Sequence, residues 1–143
     1  MTRPLHEIGL AVKRLQVQNH RAATDALADI GISLVQWDAL RHLAERPGSS
    51  LHDLAVLTFQ TDQAFGALAG RMEANGLVER MPGTGRAVRH RLTEKGERLY
   101  REGQEITGRV IAATYAPLTA EQLAAFDEVL AILVKEPPLS DRG

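Results

Sequence analysis

The hydrophobic period of the chain changes at Gly76, and that change limits the folds open to it. Upstream, Ala64, Phe65, Leu68 and Met72 fall on one side of a helix that Thr61 can cap and that Asn75-Gly76 can close. Downstream the pattern alternates, with Leu77, Glu79 and Met81 on one side and Val78 and Arg80 on the other. Pro82-Gly83-Thr84-Gly85 then turns the chain. Ala87 to Leu92 alternates again, Val88, His90 and Leu92 against Ala87, Arg89 and Arg91. A shorter helix, Leu51 to Leu57, with Ser50 and Asp53 as its cap, precedes the first across the turn Thr58-Phe59-Gln60. Two short helices across a tight turn, followed by a hairpin, are the parts of a winged helix-turn-helix.

The outward face of the second helix carries Asp62, Gln63, Gly66 and Gly70. Glycine inside a helix costs about 1 kcal/mol against alanine, so two on one face imply that something large approaches the backbone. A DNA groove is one such object, and a packed neighbouring helix is the other. Between Arg80 and Arg91 the hairpin holds four arginines and no carboxylate, in a chain whose formal charge is only −1. The positive charge is therefore placed rather than spread. Arginines kept for solubility are the alternative, which the lack of an acid within the hairpin disfavours. The pairing of a groove-sized helix with a cationic hairpin reads as DNA-binding.

This segment resembles the winged-helix domain of the MarR family of bacterial transcription regulators. The likeness rests on Gln36-Trp37, Leu40, Pro47-Gly48, Leu54-Ala55, Arg71-Met72-Glu73, Gly76-Leu77-Val78-Glu79-Arg80, Arg86, and Leu92-Thr93-Glu94-Lys95-Gly96. Helices before and after it extend the match over nearly the whole chain. The resemblance implies a mainly α (α+β winged-helix) protein of six helices and a two-stranded wing. It implies that residues 1–31 and 97–136 form dimerisation helices around a winged helix at 33–96, with a frayed tail at 137–143. It also implies a homodimer, double-stranded DNA as partner, and a small aromatic or phenolic effector.

The flanking helices can be read from the residues alone. Pro4 suits a first helical turn, and Ile8, Val12, Leu15, Asn19, Ala22, Ala23, Ala26, Leu27 and Ile30 follow one stripe to Gly31. Ser33 with Gln36 is a capping-box pair for a helix bearing Trp37, Leu40, Leu43 and Ala44. After the wing, Thr93-Glu94 opens a helix carrying Leu99, Ile106, Val110 and Ala113 toward Pro117. Thr119 with Gln122 caps a last helix, where Leu123, Phe126, Leu130 and Leu133 repeat at seam spacing. These end helices either fold back on the winged helix or clasp a second chain. Their surplus of apolar stripe favours the second chain.

Candidate DNA contacts divide by reach. Thr61, Asp62, Gln63 and Gly66 stand on the first turns of the recognition helix. Gln63 can make a bidentate contact with adenine, and Asp62 can accept from cytosine or serve only as a helix-terminal charge. Phe59 and Phe65 read as core. Arg71 matches a family arginine, with a solvated or ion-paired side chain as the alternative. Arg86 matches the arginine of the family's Asp-x-Arg wing motif, although Thr84 stands where that motif has aspartate. Arg89 and Arg91 are phosphate contacts where they face outward. By the same resemblance an effector crevice is bordered by Leu15, Asn19, Trp37, Leu40 and Arg41, with Trp37 also a core candidate.

Composition narrows the remaining classes. At 143 residues the length suits one domain, and 44% hydrophobic content with 4% aromatic residues suits a helical globular protein. There are no cysteines, which removes disulfides, Cys-ligated zinc and thiol redox sensing together. No apolar run nears the roughly 20 residues of a membrane span, and no signal-peptide core is present, so a cytoplasmic protein is expected. His6, His20, His42, His52 and His90 show no metal-ligand spacing, and no cofactor is implied. Catalytic motifs are absent from the sequence, so an enzyme is not expected. The function classes left are a dimeric DNA-binding repressor released by a ligand, and a winged-helix module that has lost DNA and works through protein contacts.

Overall fold

A computed structural model describes residues 2–82 and 88–139. The chain runs α1 (Leu5–Leu27), a 3₁₀ turn (Ala28–Ile30), α2 (Leu34–Glu45), α3 (Leu51–Leu57), α4 (Asp62–Ala74), β1 (Val78–Arg80), β2 (His90–Leu92), α5 (Glu94–Tyr115) and α6 (Ala120–Leu133). It is mainly helical, with six α-helices and a two-stranded antiparallel wing.

Local chemistry sets these boundaries. Ser33 and Thr119 each form a full capping box, their hydroxyls accepting from Gln36 and Gln122 while the glutamine side chains bond back. Ser50, Thr61 and Thr93 cap α3, α4 and α5 with their hydroxyls. The expected first helix does not stay regular to Gly31. It tightens into the 3₁₀ turn after Leu27, and Gly31 at φ 76° reverses the chain.

The core gathers Leu27, Ile32, Trp37, Ala39, Leu40, Leu43, Leu54, Ala55, Phe65, Leu68, Ala69, Met72, Leu77 and Val78. On α4 the buried stripe is Phe65, Leu68, Ala69 and Met72, at spacings of three, one and three. Ala64 was expected in that stripe but is exposed, because the face is centred between Phe65 and Met72, about a quarter-turn away. Wing register pairs Val78 with Leu92, Glu79 with Arg91 and Arg80 with His90. A single bridge from Arg89 to Ser50 ties the return strand to the start of α3.

Two glycines let these layers meet. A Cβ on Gly96 would stand 2.0 Å from the Leu77 carbonyl oxygen, so the first turn of α5 lies directly on the strand entering the wing. A Cβ on Gly103 would stand 2.2 Å from Trp37 Cδ1, so α5 and α2 touch at that indole. α1 packs along α5, and Thr114 of α5 donates to Asn19 of α1 at 2.6 Å. α6 buries none of its residues. Its ring contact is Phe126 on Tyr115, 5.8 Å between centroids. Among the described residues no helix is long and apolar enough to cross a membrane.

Candidate nucleic-acid interface and effector crevice

The recognition helix presents an open face. Thr61 is spent as N-cap, its hydroxyl accepting from the Ala64 amide at 3.1 Å. Gln63, Gly66 and Gly70 are exposed, and a methyl group added to either glycine would meet nothing within 4 Å. The described fold therefore supplies no helix to explain the two glycines. Asp62 is neither a free terminal charge nor unengaged, since both its oxygens lie 2.9 and 3.1 Å from Nδ1 of His52 on α3. That pair is exposed on both sides and contributes little to stability. Arg71 is exposed and pairs with no carboxylate among the described residues, which leaves it solvated.

Phe65 is core as expected, but Phe59 is 95% exposed. The reason is the way α3 ends. The Phe59 amide donates to the Val56 carbonyl and the Gln60 amide to the Ala55 carbonyl, at 3.2 and 2.8 Å. That pattern closes a helix through one left-handed residue. Phe59 is that residue, at φ 59°, and the other positive-φ residues among those described are Gly31, Gly48 and Gly76. The conformation costs a residue with a Cβ about 1–2 kcal/mol. It also turns the ring away from the core that Leu54 and Phe65 fill.

In the wing, each described arginine already has a partner. Arg91 Nε donates to Glu79 Oε1 at 2.9 Å, directly across the strand pair. Arg80 Nε lies 3.3 Å from Glu73 Oε1. The hairpin window contains no acid, but Glu73 and Glu79 lie just outside it and reach in, so the wing's positive charge is partly balanced within the fold. Both pairs are exposed and exchangeable. Arg89 differs. It is half-buried, and its guanidinium donates to the Gly48 carbonyl in the α2–α3 loop, so it does not face outward. Arg86 and Thr84 lie outside the described residues. His90, beneath the wing, is buried, with Nε2 3.6 Å from Glu73 Oε2.

A crevice of about 660 Å³ opens between α1, α2, α5 and α6, lined by Leu15, Asn19, Trp37 and Arg41 together with Ile111 and Phe126. Leu40 does not border it, because that side chain is fully buried in the core. Trp37 is a core residue whose exposed edge also lines this crevice. Most of its indole is core, and its Nε1 donates to the Tyr100 carbonyl at 3.1 Å. Arg41 stacks over it, 5.8 Å from the ring centroid. The same guanidinium lies 2.7 Å from Asp38 and 3.4 Å from Glu45. Burial alone would raise the Asp38 carboxyl, but the His42 imidazole 3.7 Å away, the hydrogen bonds from Arg41 and the charges of both outweigh it and hold the group below its ordinary value.

The sequence pattern names His52 and Arg80 but gives neither its partner, Asp62 and Glu73, and it places Phe59 in the core, where the structure exposes it.

Comparison with known proteins agrees with this geometry. The MarR family model matches residues 30–87. The HTH-type transcriptional repressor Rv2887 of Mycobacterium tuberculosis is 31% identical over 107 residues, 73% of this chain and 77% of that protein. Its crystal structure in complex with DNA superposes with a TM-score of 0.78 at 27% identity, covering 94% of this chain and 100% of that one. The organohalide-sensing regulator RdhR in its 2,4-dichlorophenol-bound form gives a TM-score of 0.78 at 26% identity, covering 92% of this chain and 80% of that one. MarR of Escherichia coli, at 20% identity and a TM-score of 0.79, shares the fold over 94% of this chain and all of that one. The chain belongs to the MarR family of winged helix-turn-helix transcription regulators.

Proposed function

We propose that this chain is a cytoplasmic, homodimeric repressor that reads a near-palindromic operator and releases it when a small aromatic molecule binds. The observation that carries the DNA-binding reading is the outward face of α4, where Gln63, Gly66 and Gly70 stand open with no part of the described fold against them. Thr61, Asp62, Gln63 and Gly66 are the proposed groove-facing residues. Arg71 and Arg91 are the proposed phosphate contacts, with Arg86 at the wing tip. Arg89 acts in this proposal as the tie that fixes the wing to the α2–α3 loop.

The homodimer reading rests on the end helices, residues 1–31 and 97–136. Leu5, Ile132 and Leu133 are all more than two-thirds exposed in the single chain. Such a surface at both chain ends is an interface in search of its second half. Two-fold pairing there would set two α4 helices about 34 Å apart, one turn of duplex. The crevice beside Trp37 is the proposed effector site, since Rv2887 has been solved with salicylic acid and RdhR with 2,4-dichlorophenol. Here Arg41 is already held by Asp38 and Glu45, so a carboxylate ligand would have to compete for it.

The test is fluorescence anisotropy on the promoter DNA that flanks the chain's own gene, at two salt concentrations, with and without phenol and salicylate. Saturable, salt-sensitive binding that a ligand weakens is the expected result. Absence of binding at low salt would contradict the DNA-binding reading.

A further inference from the structure

We propose that Phe59 is a DNA-contacting residue of this chain, its ring laid on a thymine 5-methyl group at the edge of the groove that α4 enters. The inference rests on the DNA-binding reading of α4 and adds to it an apolar contact from outside the helix. Its starting point is an inconsistency within the fold. α3 and α4 end in the same bonded turn, and the Gly76 and Leu77 amides donate to the Glu73 and Met72 carbonyls just as Phe59 and Gln60 do after α3. After α4 the left-handed position is Gly76, at φ 74°. After α3 it is phenylalanine, at φ 59°. Backbone strain disfavours a side chain there, and none of the described residues repays it by packing, since Phe59 is 95% exposed.

Its position says what covers it. Phe59 stands two residues before Thr61, the cap of α4, at the end of the helix that presents Asp62 and Gln63. Among the described residues the other large exposed apolar side chains lie elsewhere, on α1, α5, α6 and the segments beside them, or at Met81 and Val88 of the wing. α3 packs on α2 and α4, and α4 on α3 and β1, which sets this turn in the winged-helix half rather than with the end helices. An uncharged ring gains nothing from a phosphate. The apolar group that a duplex shows in its major groove is the thymine methyl.

The experiment compares the wild-type chain with Phe59→Gly and Phe59→Asn, both substitutions suited to a left-handed position. Binding is read by anisotropy on the same promoter fragment made with thymine or with uracil throughout. Phe59→Gly should raise the thermal midpoint, because it relieves the backbone, yet weaken binding about tenfold. The salt slope should stay as it was, since no charge changes. Uracil DNA should bind the wild type more weakly than thymine DNA and bind both variants equally with it. Failure of the wild type to bind at all removes the DNA-binding reading, and this inference with it. Wild-type binding with undiminished variant affinity removes this inference alone. So does a lower midpoint in both variants (a ring that packs within the fold), a shift in dimer dissociation (a ring covered by a second copy), or a uracil effect equal in all three proteins.

Discussion

Gly103 and Trp37 are in contact so close that no side chain fits between them: a Cβ on the glycine would lie 2.2 Å from Cδ1 and 2.5 Å from Nε1 of the indole. The same indole donates to the Tyr100 carbonyl one turn earlier on α5. The ring is therefore held at its edge by two backbone segments of one helix. Gly103→Ala must push the indole off the helix and stretch that hydrogen bond. An overpacked contact of this kind costs about 1–3 kcal/mol. Urea unfolding followed by the fluorescence of Trp37, the one tryptophan, should show an earlier midpoint and a red-shifted folded spectrum. An unchanged midpoint would mean that α2 and α5 are further apart than described.

The second close approach links the wing to α5. Gly96 sits under the Leu77 carbonyl, where a Cβ would come to 2.0 Å. The acceptor is backbone, which also receives the Thr93 amide at 3.2 Å, so it cannot swing aside as a side chain would. Gly96→Ala should destabilise by at least about 1–3 kcal/mol and weaken DNA binding further, because β1 begins one residue later. Both effects are readable in one preparation, by thermal melting and by anisotropy. Full affinity at reduced stability would show that the wing adjusts independently of α5.

Much of this fold was legible because its boundaries are local chemistry. Ser33 with Gln36 and Thr119 with Gln122 act within one helical turn, and Thr61 and Gly76 each act locally at one end of α4, so the sequence alone placed those helix ends. What escaped was set at a distance. The Trp37 indole finds its acceptor 63 residues away. Leu40 reads like Trp37 on the helical stripe, but only packing shows that it faces the core and not the crevice. Arg89 and Arg91 fall on the same side of the alternating pattern, yet one turns in to Gly48 and the other out to Glu79. Phe59 misled for a different reason: hydrophobicity says inside, and the left-handed end of α3 overrules it.

Asp38 gives the stability a signature at acid pH. Its carboxyl is held below its ordinary value of 3.8, where burial, acting upward, is outweighed by the nearby His42 imidazole, by hydrogen bonds from Arg41 and by the charges of both. A carboxyl with a lower pKa folded than unfolded binds fewer protons in the native state, so it favours folding more as pH rises. That contribution is complete above the ordinary value and is lost as pH falls through the lowered one. Asp38→Asn should cost about 1 kcal/mol at pH 7, the modest size reflecting the partial exposure of the pair. Denaturation of both proteins at pH 7, 5 and 3 should show a gap that is steady between the first two and narrower at the third. A gap of constant size down to pH 3 would mean the carboxylate is not held by Arg41 and His42.

The wing arginines should separate cleanly when removed one at a time. Arg91 is exposed, and its partner among the described residues is Glu79, which a phosphate can replace. Arg91→Ala should therefore lower the slope of log affinity against log salt by about 0.9 and leave stability nearly unchanged. Glu79→Gln should act in the opposite sense, tightening binding by freeing that guanidinium and removing a negative charge from the DNA side. Arg89, half-buried and donating to the Gly48 carbonyl, belongs to the scaffold. Arg89→Ala should cost about 1–3 kcal/mol of stability through the bonds it strands, while the salt slope of the protein that remains folded holds. Equal slopes for the Arg91→Ala protein and the wild type would move the phosphate contact off β2, and a full drop of 0.9 for Arg89→Ala would mean that its tie to the α2–α3 loop opens when DNA binds.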